Sequence, residues 1–283
     1  MKKGSLFQRL AAAPHIVWAV MFIVFPMIFV LFFAFTDADG NFSFSNITSL
    51  SQYGHVFVLS IAFALIATVV CLIIGYPLAY FMSKQSPRAQ KILMVLVMLP
   101  MWCNLLIRTY ALMALLDNGG LLNSLLVSLG LEKLSIVGTN FGVILGMIYD
   151  FLPYMVLPIF TAMTKLDPKF IEASQDLGCT SWQTMTRVIM PLTASGVISG
   201  VTMVFVPSIS TFYISQKLGA GKIDLVGDTI ERLFQNPSTY NVGAAISLVM
   251  MVLIIISVGI MNRFSDDKQP GDPKTGKGGG IMP

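Results

Sequence analysis

The apolar positions fall into six long runs separated by polar stretches, at about Pro14–Thr36, Val56–Met82, Ile92–Leu116, Phe141–Thr164, Leu192–Tyr213 and Val242–Met261. About 20 apolar residues rising 1.5 Å each cross a ~30 Å hydrocarbon core, so this pattern predicts six transmembrane helices. Pro77 and Pro100 predict kinks in the second and third, and Pro207 a break in the outer half of the fifth. The first run is longer than a signal-peptide core and no convincing cleavage site follows it, which predicts a retained helix. Between the third and fourth runs, Gly119-Gly120-Leu121-Leu122-Asn123 opens a short interfacial helix.

The longest polar interruption between runs facing one side of the membrane is Leu166–Pro191. Asp167 and Pro168 read as a helix start, and Phe170, Ala173 and Leu177 as one apolar face, with Glu172, Gln175 and Asp176 turned away. Gly178 reads as a left-handed C-cap. Thr180 and Gln183 form a capping box for a second helix, with Trp182, Met185 and Ile189 as its stripe and Pro191 as its stop. Two short amphipathic helices with a bend between them are expected. Amphipathicity alone fits a loop lying on lipid equally well.

Charge fixes the expected orientation. Lys2, Lys3, Arg9, Lys84, Arg88, Lys91, Lys165 and Arg263 mark one side, and Asp37, Asp39, Asp117 and Glu132 the other. The positive-inside rule then puts both termini in the cytoplasm. Hydrophobic residues make up 55% of the 283 and charged residues 11%, against about 25% charge in soluble domains, so the class is an all-α integral membrane protein. Residues 1–264 form one transmembrane domain with the loop 166–191, and the Gly-, Pro- and Lys-rich tail 265–283 is expected to be disordered. The net charge of +4 sits at membrane edges, which argues against nucleic acid.

Candidate chemistry is sparse. Cys71, Cys103 and Cys179 lack metal spacing, and His15 and His55 sit at membrane edges. Gly271–Lys277 has P-loop spacing, but Gly278 stands where Ser or Thr would ligate Mg²⁺, and Gly219–Lys222 fails likewise. No catalytic site and no cofactor are expected in this chain. Any ATP and Mg²⁺ would be bound by a partner.

Glu172-Ala173-Ser174, three residues, Gly178, nine residues, then Val188-Ile189-Met190-Pro191 resembles the EAA loop of ATP-binding-cassette importer permeases. Ser174 and Met190 depart mildly from that pattern. The resemblance implies a coupling helix that docks on an ATPase subunit, with Glu172, Ala173, Ser174, Gly178, Val188 and Pro191 as its coupling residues. Further matches are Gly75-Tyr76-Pro77-Leu78-Ala79-Tyr80, Leu99–Tyr110, Gly120-Leu121-Leu122-Asn123 and Leu152–Pro158. They look like permeases of the PotB type in bacterial spermidine/putrescine importers. That resemblance implies a MetI-like six-helix fold in the bacterial cytoplasmic membrane. It also implies a PotC-type second permease, two ATPase subunits and an extracytoplasmic polyamine-binding protein. An importer of another small solute, or a secondary transporter, is the alternative; no inverted repeat is evident.

Three intramembrane features are candidates for the substrate path. Trp102 and Tyr110, eight residues apart, would share a helical face able to hold ammonium groups by cation–π contact, or be ordinary core aromatics. Arg108 and Asp150 are expected at matching depth, roughly 13–15 Å below the outer edge. Since an unpaired charge there costs about 2.5–3.5 kcal/mol, a structural ion pair is one reading. The other leaves Asp150 free for a polyamine ammonium.

Overall fold

The structure, a computed structural model, describes residues 14–37 and 40–266. Lys2, Lys3, Arg9, Asp39 and the P-loop-like tail sequence lie outside the described residues. The described chain is helical, with an isolated β-bridge between Thr36 and Phe42.

The longer helices are α1 (Pro14–Ala34), α2 (Gly54–Ser83, led into by short turns over residues 45–53), α3 (Pro87–Trp102), α4 (Leu105–Leu116), α5 (Leu121–Ser128) and α6 (Asn140–Thr164). Then come α7 (Pro168–Asp176), α8 (Ser181–Leu192), α9 (Ala194–Ser210), α10 (Tyr213–Leu218), α11 (Val226–Gln235) and α12 (Tyr240–Asp266). Among the described residues five helical stretches are long and apolar enough to cross a membrane, and six if the bent pair α8–α9 is one span.

The core is the contact of α2, α6 and α9. Ala67, Cys71 and Ala79 of α2 pack with Val143, Met147, Met155 and Ile159 of α6 and Val204 of α9, all buried. Small residues let α9 approach α6 closely: a Cβ at Gly196 would lie 2.8 Å from the Pro158 carbonyl oxygen, and one at Gly200 3.1 Å from that of Met155. In a bilayer such contact matters because lipid offers apolar side chains the same environment as a neighbouring helix does. α1 is the opposite case, with Phe22, Phe25 and Phe32 exposed and only its end packed on Ala244 and Ala245 of α12.

Two expectations about prolines need correction. Pro77 and Pro207 both lie inside continuous helices, so no break occurs at Pro207. There the Ser208 hydroxyl donates to the Val204 carbonyl at 2.6 Å and Ser210 Oγ lies 3.3 Å from the Val206 oxygen, so neighbouring hydroxyls engage carbonyls around the ring. The third apolar run does not merely kink at Pro100. It breaks at Cys103 and Asn104, both extended, and Asn104 caps α4 by accepting the Leu106 N–H at 2.8 Å. The stretch that meets the length and hydropathy of a span is Leu105–Ser128, which includes α5. α12 runs to Asp266, past the boundary at 264.

Candidate functional site

Asp167 starts α7, its Oδ1 accepting the Lys169 N–H at 3.0 Å. The helix closes with Cys179 N–H on the Ser174 carbonyl at 3.0 Å and Gly178 N–H on that of Gln175 at 2.8 Å, with Gly178 at φ +78°. This is a Schellman turn, which needs a left-handed residue. Thr180 and Gln183 then cap α8 reciprocally, at 2.9 and 3.3 Å.

Pro191 does not stop α8. A π-helical turn at Met185–Ile189 precedes it, and the wider turn relieves the clash its ring would make with the preceding carbonyls. The chain bends by 68° at Thr193, between α8 and α9. Thr193 Oγ1 is 2.8 Å from the Ile189 oxygen, to which it donates, so the Tyr76 hydroxyl, 3.1 Å away, is the donor to Thr193. Tyr76 of α2 thereby ties the elbow to the core.

The first expected stripe stays together on the outside, whereas the second is split between Trp182 outside and Ile189 inside. Ser174, Thr184 and Ile189 are buried, whereas Phe170, Leu177 and Trp182 are exposed, Leu177 by 85% and Trp182 by 75%. The stripe Phe170, Ala173 and Leu177 therefore points away from this chain. Glu172 lies exposed on α7, Val188 is half-buried, and Pro191 is exposed.

Within the bundle, Arg108 Nε lies 2.5 Å from Asp150 Oδ1, and both side chains are buried. The N–H is not aligned for a hydrogen bond, so the contact is an ion pair between close charges. Asp150 Oδ2 lies 3.2 Å from Thr109 Oγ1, a hydroxyl that also donates to the Leu105 carbonyl at 2.8 Å. Arg108 Nη1 donates to the Pro100 carbonyl at 3.1 Å, a group near the end of α3, and its guanidinium lies 5.9 Å from the Tyr149 ring centre. One arginine thus joins α3, α4 and α6 across the break.

Trp102 closes α3 while Tyr110 belongs to α4, with extended residues between them, so the spacing of eight does not put them on one helical face. Trp102 is 75% exposed. Tyr110 meets Tyr213 edge to face at 5.9 Å, and Lys217 Nζ lies 5.0 Å from its ring centre and 5.6 Å from that of Tyr213. The ring at position 110 therefore already carries an ammonium, one belonging to α10. Sequence reading missed Tyr213, Lys217, Thr184 and Thr193. Of these only the aromatic-and-lysine spacing of Tyr213 and Lys217, one helical turn apart, left a signal.

Residues 73–269 match the family described as the binding-protein-dependent transport system inner membrane component. The chain belongs to this family. Among relatives of this permease, the spermidine/putrescine transport system permease protein PotB of Haemophilus influenzae is 37% identical over 270 residues, covering 92% of this chain and 94% of the relative. PotB of Escherichia coli is 36% identical over 247 residues, covering 84% and 90%. In fold the permease is similar to a chain of a bacterial ABC transporter involved in the import of the acidic polysaccharide alginate (TM-score 0.75, 20% identity, 92% of this chain and 95% of the other). It is also similar to a chain of the MetNI methionine ABC transporter (TM-score 0.52, 16% identity, 75% and 92%). The permease is thus the inner-membrane subunit of an importer that works with a partner permease, a binding protein and a separate ATPase.

Proposed function

We propose that this permease carries polyamines of the spermidine/putrescine class, and that α7 and α8 form the element through which the ATPase drives it. The observation that carries the coupling half is the outward exposure of the apolar side chains Phe170, Leu177 and Trp182, with Glu172 also exposed, on a loop whose inner side is pinned by buried hydroxyls. Apolar side chains exposed outside the membrane fit a protein partner, and the capped bend gives that contact a fixed shape able to transmit closure. In this reading Glu172, Ala173 and Gly178 shape the docking face, Ser174 fixes it from within, and Val188 and Pro191 belong to the lever that leads into the 68° elbow. ATP and Mg²⁺ belong to the ATPase subunits.

The polyamine half is supported by relatives that carry that name and align over 84–92% of this chain. The proposed assembly is this chain with a PotC-type permease, two ATPase subunits and a polyamine-binding protein outside. Within it this chain has six spans, counting α8–α9 as one, and both termini inside. Arg108 and Asp150 are read as a structural pair that holds the α3–α4 break against α6, because the Arg108 guanidinium already supplies the charge partner of Asp150. The test is uptake of labelled spermidine by the reconstituted importer, with wild-type chain and with Phe170, Leu177 and Trp182 all changed to serine. ATP-dependent uptake by the wild type and none by the variant is expected, with the ATPase no longer retained on the variant. Uptake of another solute with no spermidine uptake would overturn the polyamine half, and a fully active triple variant the coupling half.

A further inference from the structure

α10 and α11 lie at the end of the bundle opposite the coupling loop, since the Leu218 carbonyl accepts from Gly138 N–H at 2.7 Å just before α6 begins. Between them is a cavity of about 400 Å³ lined by Gln216 of α10, by Asp224, and by Asp228, Glu231 and Gln235 of α11. Its charges are unequal in their partners. Asp224 is paired with Arg232 at 2.9 Å, and Glu231 accepts from Gln216 and, at 3.1 Å, from Gln235. Asp228, only 5% exposed, has one oxygen on the Leu225 N–H at 3.0 Å, while Oδ1 is buried and has no partner. The nearby Ser215 hydroxyl does not supply one, because its proton goes to the Phe212 carbonyl at 2.9 Å.

A buried carboxylate oxygen without a donor is costly unless something cationic meets it. The one arginine in the wall is already committed, leaving the cavity with an excess of negative charge. No three His, Cys, Asp or Glu side chains among the described residues converge on a metal-sized point. What fits is a group with several N–H donors and one positive charge at the end of a flexible chain, able to reach separate acceptors.

We propose that this cavity is the receiving subsite of the permease, in which Asp228 and Glu231 take one terminal primary ammonium of the substrate as it leaves the binding protein. The inference rests on the polyamine reading above. It adds a named place on the outer side where the amine is first held. The ammonium displaces the Gln216 amide from Glu231 and donates to Asp228 Oδ1, so that the buried oxygen gains its missing donor.

The test uses the assembled permease–ATPase complex in lipid nanodiscs, with spermidine binding measured directly in the absence of the binding protein, and uptake measured in proteoliposomes with it. Asp228→Asn keeps the volume and an oxygen for the Leu225 N–H while removing the charge; Glu231→Gln is the second variant in case the first fails to assemble. Each should weaken direct spermidine binding about tenfold, the scale of one charge-assisted hydrogen bond, and slow uptake at saturating binding protein. Unchanged binding in either assembled variant overturns the subsite. A variant that binds spermidine normally but needs more binding protein for half-maximal uptake also overturns it, and assigns the pocket to a lysine of that protein. Wild-type uptake decides the polyamine reading separately: if the wild type takes up no spermidine, that reading falls, whereas normal wild-type uptake with unaffected variants removes the subsite alone.

Discussion

Ser174 Oγ lies 3.0 Å from Thr184 Oγ1, joining α7 to α8 through two buried hydroxyls. Because the Ser174 proton goes to the Ile171 carbonyl at 2.7 Å, Thr184 is the donor in the pair. Ser174→Ala leaves the Thr184 hydroxyl buried without its acceptor, at a cost of about 1–3 kcal/mol. Hydrogen exchange across α7 and α8 should accelerate in this variant. Ser174→Ala with Thr184→Val removes both polar groups and should restore most of the protection; no recovery would mean that the pair is not what holds the two helices together.

Gly178 gives a second, independent test of the same loop. It sits at φ +78°, and a Cβ there would meet no atom within 4 Å, so a substitution is opposed by backbone conformation alone. For a β-branched residue the left-handed conformation costs roughly 1–2 kcal/mol, and for asparagine less. Gly178→Val should insert into the membrane normally yet lose uptake and ATPase retention, while Gly178→Asn keeps most of both. Equal activity of the valine and asparagine variants would separate the bend from coupling.

The long runs and both caps of the coupling loop could be read from sequence because each rests on local spacing: apolar length for the helices, Asp167-Pro168, Gly178 and Thr180-Gln183 for their ends. What spacing could not supply was direction. Phe170, Ala173 and Leu177 do form one stripe, but whether a stripe faces its own chain or a partner is set by tertiary packing, and here Ser174 took the inward side. The α3–α4 break was hidden because Pro100 drew the signal, whereas the chain opens three residues later where Asn104 can cap. The acidic cavity was missed because the charges of residues 217–232 cancel in a sum. The periodicity of Val226, Ile230 and Leu233 was the available sign of an amphipathic α11 with its carboxylates on the other face.

Arg108 and Asp150 can be separated from a transport role by a mutant cycle in the assembled complex. Arg108→Gln or Asp150→Asn alone leaves a buried charge without its counterpart, which costs about 3–5 kcal/mol, and each should reduce assembly. The double variant has no unpaired charge and should recover much of the loss, with spermidine uptake recovering in parallel. Normal assembly of the double variant with uptake as poor as in Asp150→Asn would give the aspartate a substrate role instead.

Asp228 makes a pH prediction with a definite sign. Burial pushes its carboxyl up from 3.8 to about 6, reinforced by Asp224 and Glu231 and opposed by the Leu225 N–H. A carboxyl whose folded value is raised binds its proton more tightly when folded, so its contribution favours folding below about pH 4 and is lost as the pH climbs through about 6. The interval sets an upper bound of roughly 3 kcal/mol, which screening at the adjoining cavity reduces. Arg232 is held by Asp224 and does not offset this cost. Asparagine at 228 does not titrate, so Asp228→Asn should unfold at a higher temperature than wild type near pH 7, with the gap closing toward pH 4. Adding spermidine near pH 7 should raise the wild-type midpoint, since a ligand that binds only the folded state stabilises it, and should move the variant much less. Midpoints that run parallel from about pH 4 to about pH 7 would mean that Asp228 is not the titrating group.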